Sequence, residues 1–180
     1  MKVANRLRIA LLALAAVPLV GAADLVLVPV AGGANDPYAA PVGRIVQSIT
    51  EYTSWPTRQN PVTLCVVGPA AHAERLDDLR LADGRLIERR TVALTGFAPA
   101  ACDALYIGRV AMPDMRILTA QARGRGVLTI AEADPDCRSQ AMFCLLFPPQ
   151  AVTFRMNIDA IARSGLKVDP RVLRISQGGR

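Results

Sequence analysis

VTLCVVGP, residues 62–69, is the stretch that decides the fold. Its apolar, largely β-branched run from Val62 to Val67 stops at once in Gly68-Pro69, a pair that punctuates secondary structure. A run this short, closed by a turn, reads as a buried strand; a helix needs about ten residues or more to bury a stripe. DALYIG at 103–108 repeats the form, again closed by glycine, and VLTI at 127–130 is a further short run. Helical readings fall on either side of these. Ala70 to Leu81 reads as a helix with Leu76 and Leu79 facing in, and Pro113 to Ala122 as one with proline in its first turn, where a missing N–H costs little. Asp83-Gly84 turns the chain into Leu86–Leu94, a strand charged enough to lie near an edge. Short buried strands alternating with helices point to a parallel α/β sheet.

Upstream, Val42, Ile45, Val46, Ile49 and Tyr52 recur at the spacing of one helix face, with Arg44, Gln47, Ser48 and Glu51 on the other. An amphipathic helix is expected over about 39–53, closed by Trp55-Pro56. Downstream, Phe143–Phe147 and Ala151–Met156 flank Pro148-Pro149-Gln150 and read as an antiparallel pair. Asn157 caps a last helix ended by Gly165, and Val168, Val172, Leu173 and Ile175 suit one more short helix in the tail. The expected fold is one α/β domain. It has a mostly parallel sheet flanked by helices, an antiparallel C-terminal strand pair and two disulfides.

The N-terminus carries an address. Lys2, Arg6 and Arg8 precede an apolar run from Ile9 to Val20, and the small residues Gly21, Ala22 and Ala23 follow. These are the parts of a cleavable signal peptide. The run is shorter than the roughly 20 apolar residues a membrane span needs, and Pro18 interrupts it. Cleavage is expected after Ala22 or Ala23, delivering a soluble protein outside the cytoplasm. Residues 1–22 are then the leader, 23–40 a flexible lead-in rich in glycine and proline, 41–176 the folded domain and 177–180 a tail. The formal charge of +6 falls to +3 without the leader's three basic residues. That balance, with no basic stripe interleaved with aromatics, does not indicate nucleic acid.

Cys65, Cys102, Cys137 and Cys144 all lie in the exported part. An even count in an oxidising compartment implies two disulfides, for which three pairings exist. Cys137 and Cys144 are close enough to close a small loop around Ser139-Gln140-Ala141. Cys65 in the first buried strand and Cys102 just before DALYI meet if those strands are neighbours. The pairing Cys65–Cys102 with Cys137–Cys144 is therefore favoured. No CxxC motif occurs, and His72 is the chain's one histidine, so neither thiol exchange nor a zinc site is indicated. His72 reads as an exposed polar residue at a helix start. Asp77-Asp78 and Asp134/Asp136 read as loop and cap residues, and Gly124-Arg125-Gly126 as a turn. GxSxG, Walker and GxGxxG motifs are missing. Neither an active site nor a cofactor is expected.

Taken in order, these pieces resemble the YfiR family, exported regulators of membrane-bound diguanylate cyclases. The likeness runs from about residue 38 to 176. It rests on the helix ending in Trp55-Pro56, LCVVG at 64–68, Cys102-Asp103 leading into Leu105-Tyr106-Ile107-Gly108, and VLTI at 127–130. MFC at 142–144, Val152-Thr153-Phe154 running into Asn157, and Ile161-Ala162-Arg163-Ser164-Gly165-Leu166 with Val172-Leu173 complete it. Two departures stand out. Val42, Ile45 and Ile49 replace aromatics usual in the first helix, and Arg155 stands where an acidic residue often follows the phenylalanine.

The resemblance implies a homodimeric periplasmic repressor. It binds the periplasmic part of an inner-membrane diguanylate cyclase, lowers cyclic-di-GMP, and is released by an outer-membrane-associated lipoprotein or by disulfide reduction. The contact surface is expected at Phe143, held as an exposed anchor in the small disulfide loop, with Phe154, Arg155 and Ile161 beside it. The alternative reading is a periplasmic small-ligand-binding domain, because open parallel sheets take ligands at the carboxyl ends of their strands.

Overall fold

The computed structural model describes residues 28–29, 36–77 and 79–175. The expected leader, most of the lead-in and the 177–180 tail lie outside the described residues. In chain order the elements are β1 (Val28–Pro29), α1 (Ala39–Glu51), β2 (Thr53–Ser54), β3 (Val62–Val67), β4 (Leu79–Arg80) and β5 (Leu86–Val92). Then come β6 (Ala104–Ile107), α2 (Met112–Ala122), β7 (Leu128–Ala131), β8 (Phe143–Leu146), β9 (Ala151–Met156), α3 (Ile158–Ala162) and β10 (Lys167–Val168).

Eight strands form one sheet in the order β1-β9-β8-β7-β6-β3-β5-β4, and β2 pairs with β10 apart from it. The central five, β5-β3-β6-β7-β8, are parallel. The antiparallel strands β4 on one side and β9 on the other bound them, and β9 pairs in turn with β1. Counted along the chain, the parallel five lie in the order 2-1-3-4-5, so the chain leaves β3 for one side and later returns to build the other. In a sheet of this kind the connections diverge between the first and third strands, and a crevice opens above their carboxyl ends.

Alternation along each strand builds two cores. Leu64, Val66, Tyr106, Ile130, Phe143 and Leu145 point to one face, where they meet Val42, Ile45, Val46 and Ile49 of α1. Cys65, Val67, Leu105, Ile107, Ala131 and Cys144 point to the other, against Met115, Leu118 and Ala122 of α2. Burying each large aliphatic side chain stabilises by about 1.5–3 kcal/mol, so the α1 stripe alone fixes that helix on the sheet. The Thr50 and Thr53 hydroxyls donate back to the carbonyls of Val46 and Ile49 and finish α1. The helix thus stops at Glu51, ahead of Trp55-Pro56, because Thr53–Ser54 turns extended to pair with β10.

Both disulfides take the expected pairing, Cys65–Cys102 and Cys137–Cys144, and both lie in the α2-side core. The C-terminal hairpin and the Asn157 cap also match expectation, with Asn157 Oδ1 accepting from the Ala160 N–H at 2.9 Å.

Three expectations need correction. Ala70–Leu81 is not a helix. After the left-handed turn at Gly68 (φ 78°), its early N–H groups are drawn to a side chain of β7's end, and Leu79–Arg80 pairs with β5. The Leu76/Leu79 spacing that suggests a helix instead places Leu76 in the core and Leu79 in an edge strand. Within the lead-in, Val28–Pro29 forms an edge strand against Ala151–Val152. In the tail, Lys167–Val168 is extended, and only Pro170–Arg174 turns helically, as a 3₁₀ turn capped by Asp169.

Candidate functional site

The carboxyl ends of β3, β6, β7 and β8 surround a cavity of about 380 Å³. Its wall is set by the chain segments that leave those strands: Pro69 and His72 after β3, Arg109 after β6, Glu132 after β7, and Phe147 after β8. Two of these segments are pressed together. The Gly108 N–H donates to Val67 O at 2.9 Å and the Arg109 N–H to Pro69 O at 2.7 Å. A Cβ on Gly108 would fall 2.4 Å from Pro69 O, so only glycine permits the approach. The rim is therefore fixed by backbone contacts before anything binds.

Glu132 is the central polar group. It is 6% exposed, and its carboxylate accepts from the N–H groups of Ala71 (3.0 Å) and His72 (2.7 Å). These bonds hold the β3 connection against the end of β7. Burial pushes the Glu132 carboxyl above the usual glutamate value, while the two backbone N–H groups, His72 and Arg109 pull the other way. The Tyr106 hydroxyl is buried without a hydrogen-bond partner among the described residues. Burial, then the charge and hydrogen-bonding pull of the nearby Glu132 carboxylate, too far for a normal hydrogen bond, and last the Asp36 charge, drive its pKa far above the ordinary tyrosine value.

His72 is a correction to the reading of an exposed polar residue. It is partly buried, with Nδ1 2.9 and 3.0 Å from the two Asp36 carboxylate oxygens. Its ring centroid lies 4.6 Å from Phe147 and 5.2 Å from Tyr38, and Tyr38 meets Phe147 edge-on at 5.6 Å. Asp36 also accepts from the Tyr38 N–H, so this cluster ties the start of α1 to the rim of the sheet. The Arg109 side chain faces the same cavity without a side-chain hydrogen bond or ion pair among the described residues, and its charge acts on Glu132.

The sequence reasoning named none of Asp36, Glu132, Arg109 or Phe147 as a functional residue. The available signal was positional: each follows or precedes a strand or helix end, and Gly68 and Gly108 mark two of the carboxyl ends.

Of the four residues expected at a partner surface, three are brought together, but in the core and not on the surface, and Arg155 stands apart. Phe143 is 0% exposed, so the exposed anchor expected in the disulfide loop is instead core. It begins β8 and points to the α1 side, where its ring meets Phe154 in a T-shaped contact at 5.4 Å. Phe154 is buried and Ile161 half-buried against the same core. Arg155 is exposed on the other face, opposite Cys144 in register. Beyond it, Ile158 opens α3 at 70% exposure.

In the loop before β8, Asp134 is buried and accepts from the N–H groups of Arg138 (2.9 Å) and Ser139 (2.7 Å), the cap role expected of it. Asp134, Cys137 and Cys144 are clustered closely enough to suggest metal ligands, but both sulfurs are joined to each other. In the oxidised protein no thiolate is available there.

No described helix is long and apolar enough to cross a membrane. The sequence profile of a family described as YfiR/HmsC-like matches residues 41–177.

Proposed function

The chain belongs to the YfiR/HmsC-like family, periplasmic, non-catalytic regulators of diguanylate cyclases, and from that premise we propose that it is a repressor. It binds the periplasmic part of an inner-membrane diguanylate cyclase, holds the enzyme inactive and so lowers cyclic-di-GMP. The match over residues 41–177 carries this reading, because it spans every strand of the sheet except β1. In physical terms repression is a population shift: the chain binds the inactive cyclase more tightly than the active one, and the difference in affinity sets how far the balance moves. An outer-membrane-associated lipoprotein relieves repression by competing for the chain, and reduction of the disulfides relieves it by loosening the fold. The working form is a homodimer.

For the cyclase contact we assign the surface around Arg155, Ile158 and Ile161. Arg155 and Ile158 are both exposed, Arg155 in β9 and Ile158 at the start of α3, and an exposed apolar side chain together with a cation suits a protein interface. Phe143 and Phe154 support this surface from beneath. Any effect of changing Phe143 on repression therefore acts through the fold.

The test is cellular cyclic-di-GMP in a strain lacking the gene, complemented with wild type, Arg155→Glu/Ile158→Asp or Cys137→Ser/Cys144→Ser protein. The level rises on deletion and returns with wild type. The surface variant accumulates to wild-type amounts but leaves the level high, and the cysteine variant restores it poorly. A level that does not move on deletion, in conditions where the gene is expressed, ends the repressor reading.

A further inference from the structure

We infer that the cavity at the carboxyl edge of the sheet binds a small organic monocarboxylate with an apolar or aromatic body, held by Arg109. The inference stands apart from the repressor reading, since it concerns the sheet edge and not the surface around Arg155.

Four observations lead there. The first is place: the cavity lies above the carboxyl ends of β3 and β6, where the connections of the doubly wound sheet diverge. Crevices of this kind are where open α/β sheets take their ligands. The second is size and readiness. About 380 Å³ falls in the range of pockets for small molecules, and the Gly108–Pro69 approach fixes the rim in advance. A preformed site spares the ligand the cost of ordering the loops.

The third is the apolar lining. Leu145, Leu146 and Phe147 of the β8 end line the cavity together with Pro69 and Pro135. Such a lining rewards an apolar body, and the Phe147 ring, already in contact with His72, offers an aromatic wall.

The fourth is the charge inventory, which decides the head group. His72 and Asp36 are paired with each other. The Glu132 carboxylate is engaged by two backbone N–H groups. Arg109 alone lines the cavity with its donors unspent among the described residues. A guanidinium offers a planar fork that matches a carboxylate in a two-point hydrogen bond. Glu132 lines the same cavity and repels a second negative charge, so a dianionic phosphate monoester fits worse than a carboxylate.

The experiment is a ¹⁵N–¹H titration of the exported, disulfide-bonded protein with 3-phenylpropionate, octanoate, 3-phenylpropanamide and phenyl phosphate. One of the two acids gives saturable shifts centred on the amides of His72, Arg109, Glu132 and Phe147. The neutral amide and phenyl phosphate bind about tenfold more weakly or worse, as expected for loss of a charge-assisted pair. Arg109→Gln lowers acid affinity by a similar factor with its spectrum otherwise intact, whereas Arg125→Gln, on the loop before β7, does not. Neither acid saturating by about 10 mM, near the weakest useful affinity, overturns the proposal. So does equal binding of acid and amide, tighter binding of the phosphate, or an Arg109→Gln protein that binds like wild type.

Discussion

The two faces of the sheet are held by different means. On the α1 side, Leu64, Tyr106, Ile130, Phe143 and Leu145 meet a helix whose buried stripe is Val42, Ile45, Val46 and Ile49, and no covalent link crosses that layer. On the α2 side the sheet offers Cys65, Val67, Leu105, Ile107, Ala131 and Cys144, three of them small, and α2 answers with Met115, Leu118 and Ala122 while Ile117 stays exposed. Small side chains bury less apolar area, and stabilisation follows area. Both disulfides lie on this thinner side. Covalent closure, which acts mainly by restricting the unfolded chain, supplements there what burial supplies on the other face.

Breaking the longer bridge is the severest test of that comparison. Cys65→Ser/Cys102→Ser removes a link spanning 37 residues and leaves hydroxyls in an apolar layer. The loop term is worth about 4 kcal/mol and the buried hydroxyls add about 1 kcal/mol or more. A loss of about 5 kcal/mol in urea unfolding is a large part of the 5–15 kcal/mol typical of a domain. A loss below about 1 kcal/mol would mean the bridge is redundant and the face is held by packing after all.

Phe143→Ala attacks the unbridged face. Emptying a fully buried phenylalanine site costs about 4 kcal/mol, with both disulfides intact. Equilibrium unfolding under oxidising conditions reads it, and a near-silent substitution would show that covalent closure alone holds the domain. The shorter bridge is the milder case. Cys137→Ser/Cys144→Ser opens a loop with a sequence separation of 7, worth about 2.5 kcal/mol. Hydrogen exchange should locate the change at the amides of Arg138 and Ser139, which Asp134 holds. Uniform loss of protection across the sheet would instead make the short bridge a global staple.

The same contrast explains what was legible in the sequence. α1 was readable because its apolar stripe is a local pattern on one continuous segment. β3 and β6 were readable because buried parallel strands are short, β-branched and closed by glycine. The disulfides followed once those strands were neighbours. Ala70–Leu81 misled because its two ends are held by partners outside the segment, Glu132 at Ala71 and His72 and β5 at Leu79–Arg80, which leave no mark on local periodicity. β1, β2, β4 and β10 are two-residue strands that exist only through their partners. Phe143 misled for another reason: its place between a cysteine loop and a strand does not say which side it faces, and the register with Met156 does. The edge cavity was illegible in the same sense. Asp36, His72, Arg109 and Glu132 come from four separate connections and meet only when the strand order is 2-1-3-4-5.

The two faces meet at Glu132, where the smallest effect is expected and where it is read as a pH dependence. Its carboxyl is raised above the ordinary glutamate value of 4.5, chiefly by burial. An acid with a raised folded-state pKa keeps its proton in the folded protein at pH values where the unfolded chain has already released it. The folded state then binds more protons, so stability falls as pH rises. The fall begins near the ordinary value and is complete once pH has passed the raised one. Glu132→Gln retains an oxygen to accept from the His72 or Ala71 N–H but cannot ionise. Urea midpoints from about pH 4 to about pH 8 should decline in the wild type by an amount missing from the variant. The difference is confined to that window, with parallel curves above it. Identical slopes would mean that the two backbone N–H groups offset burial in full, and the carboxylate would then be as well accommodated at this edge as it is in water.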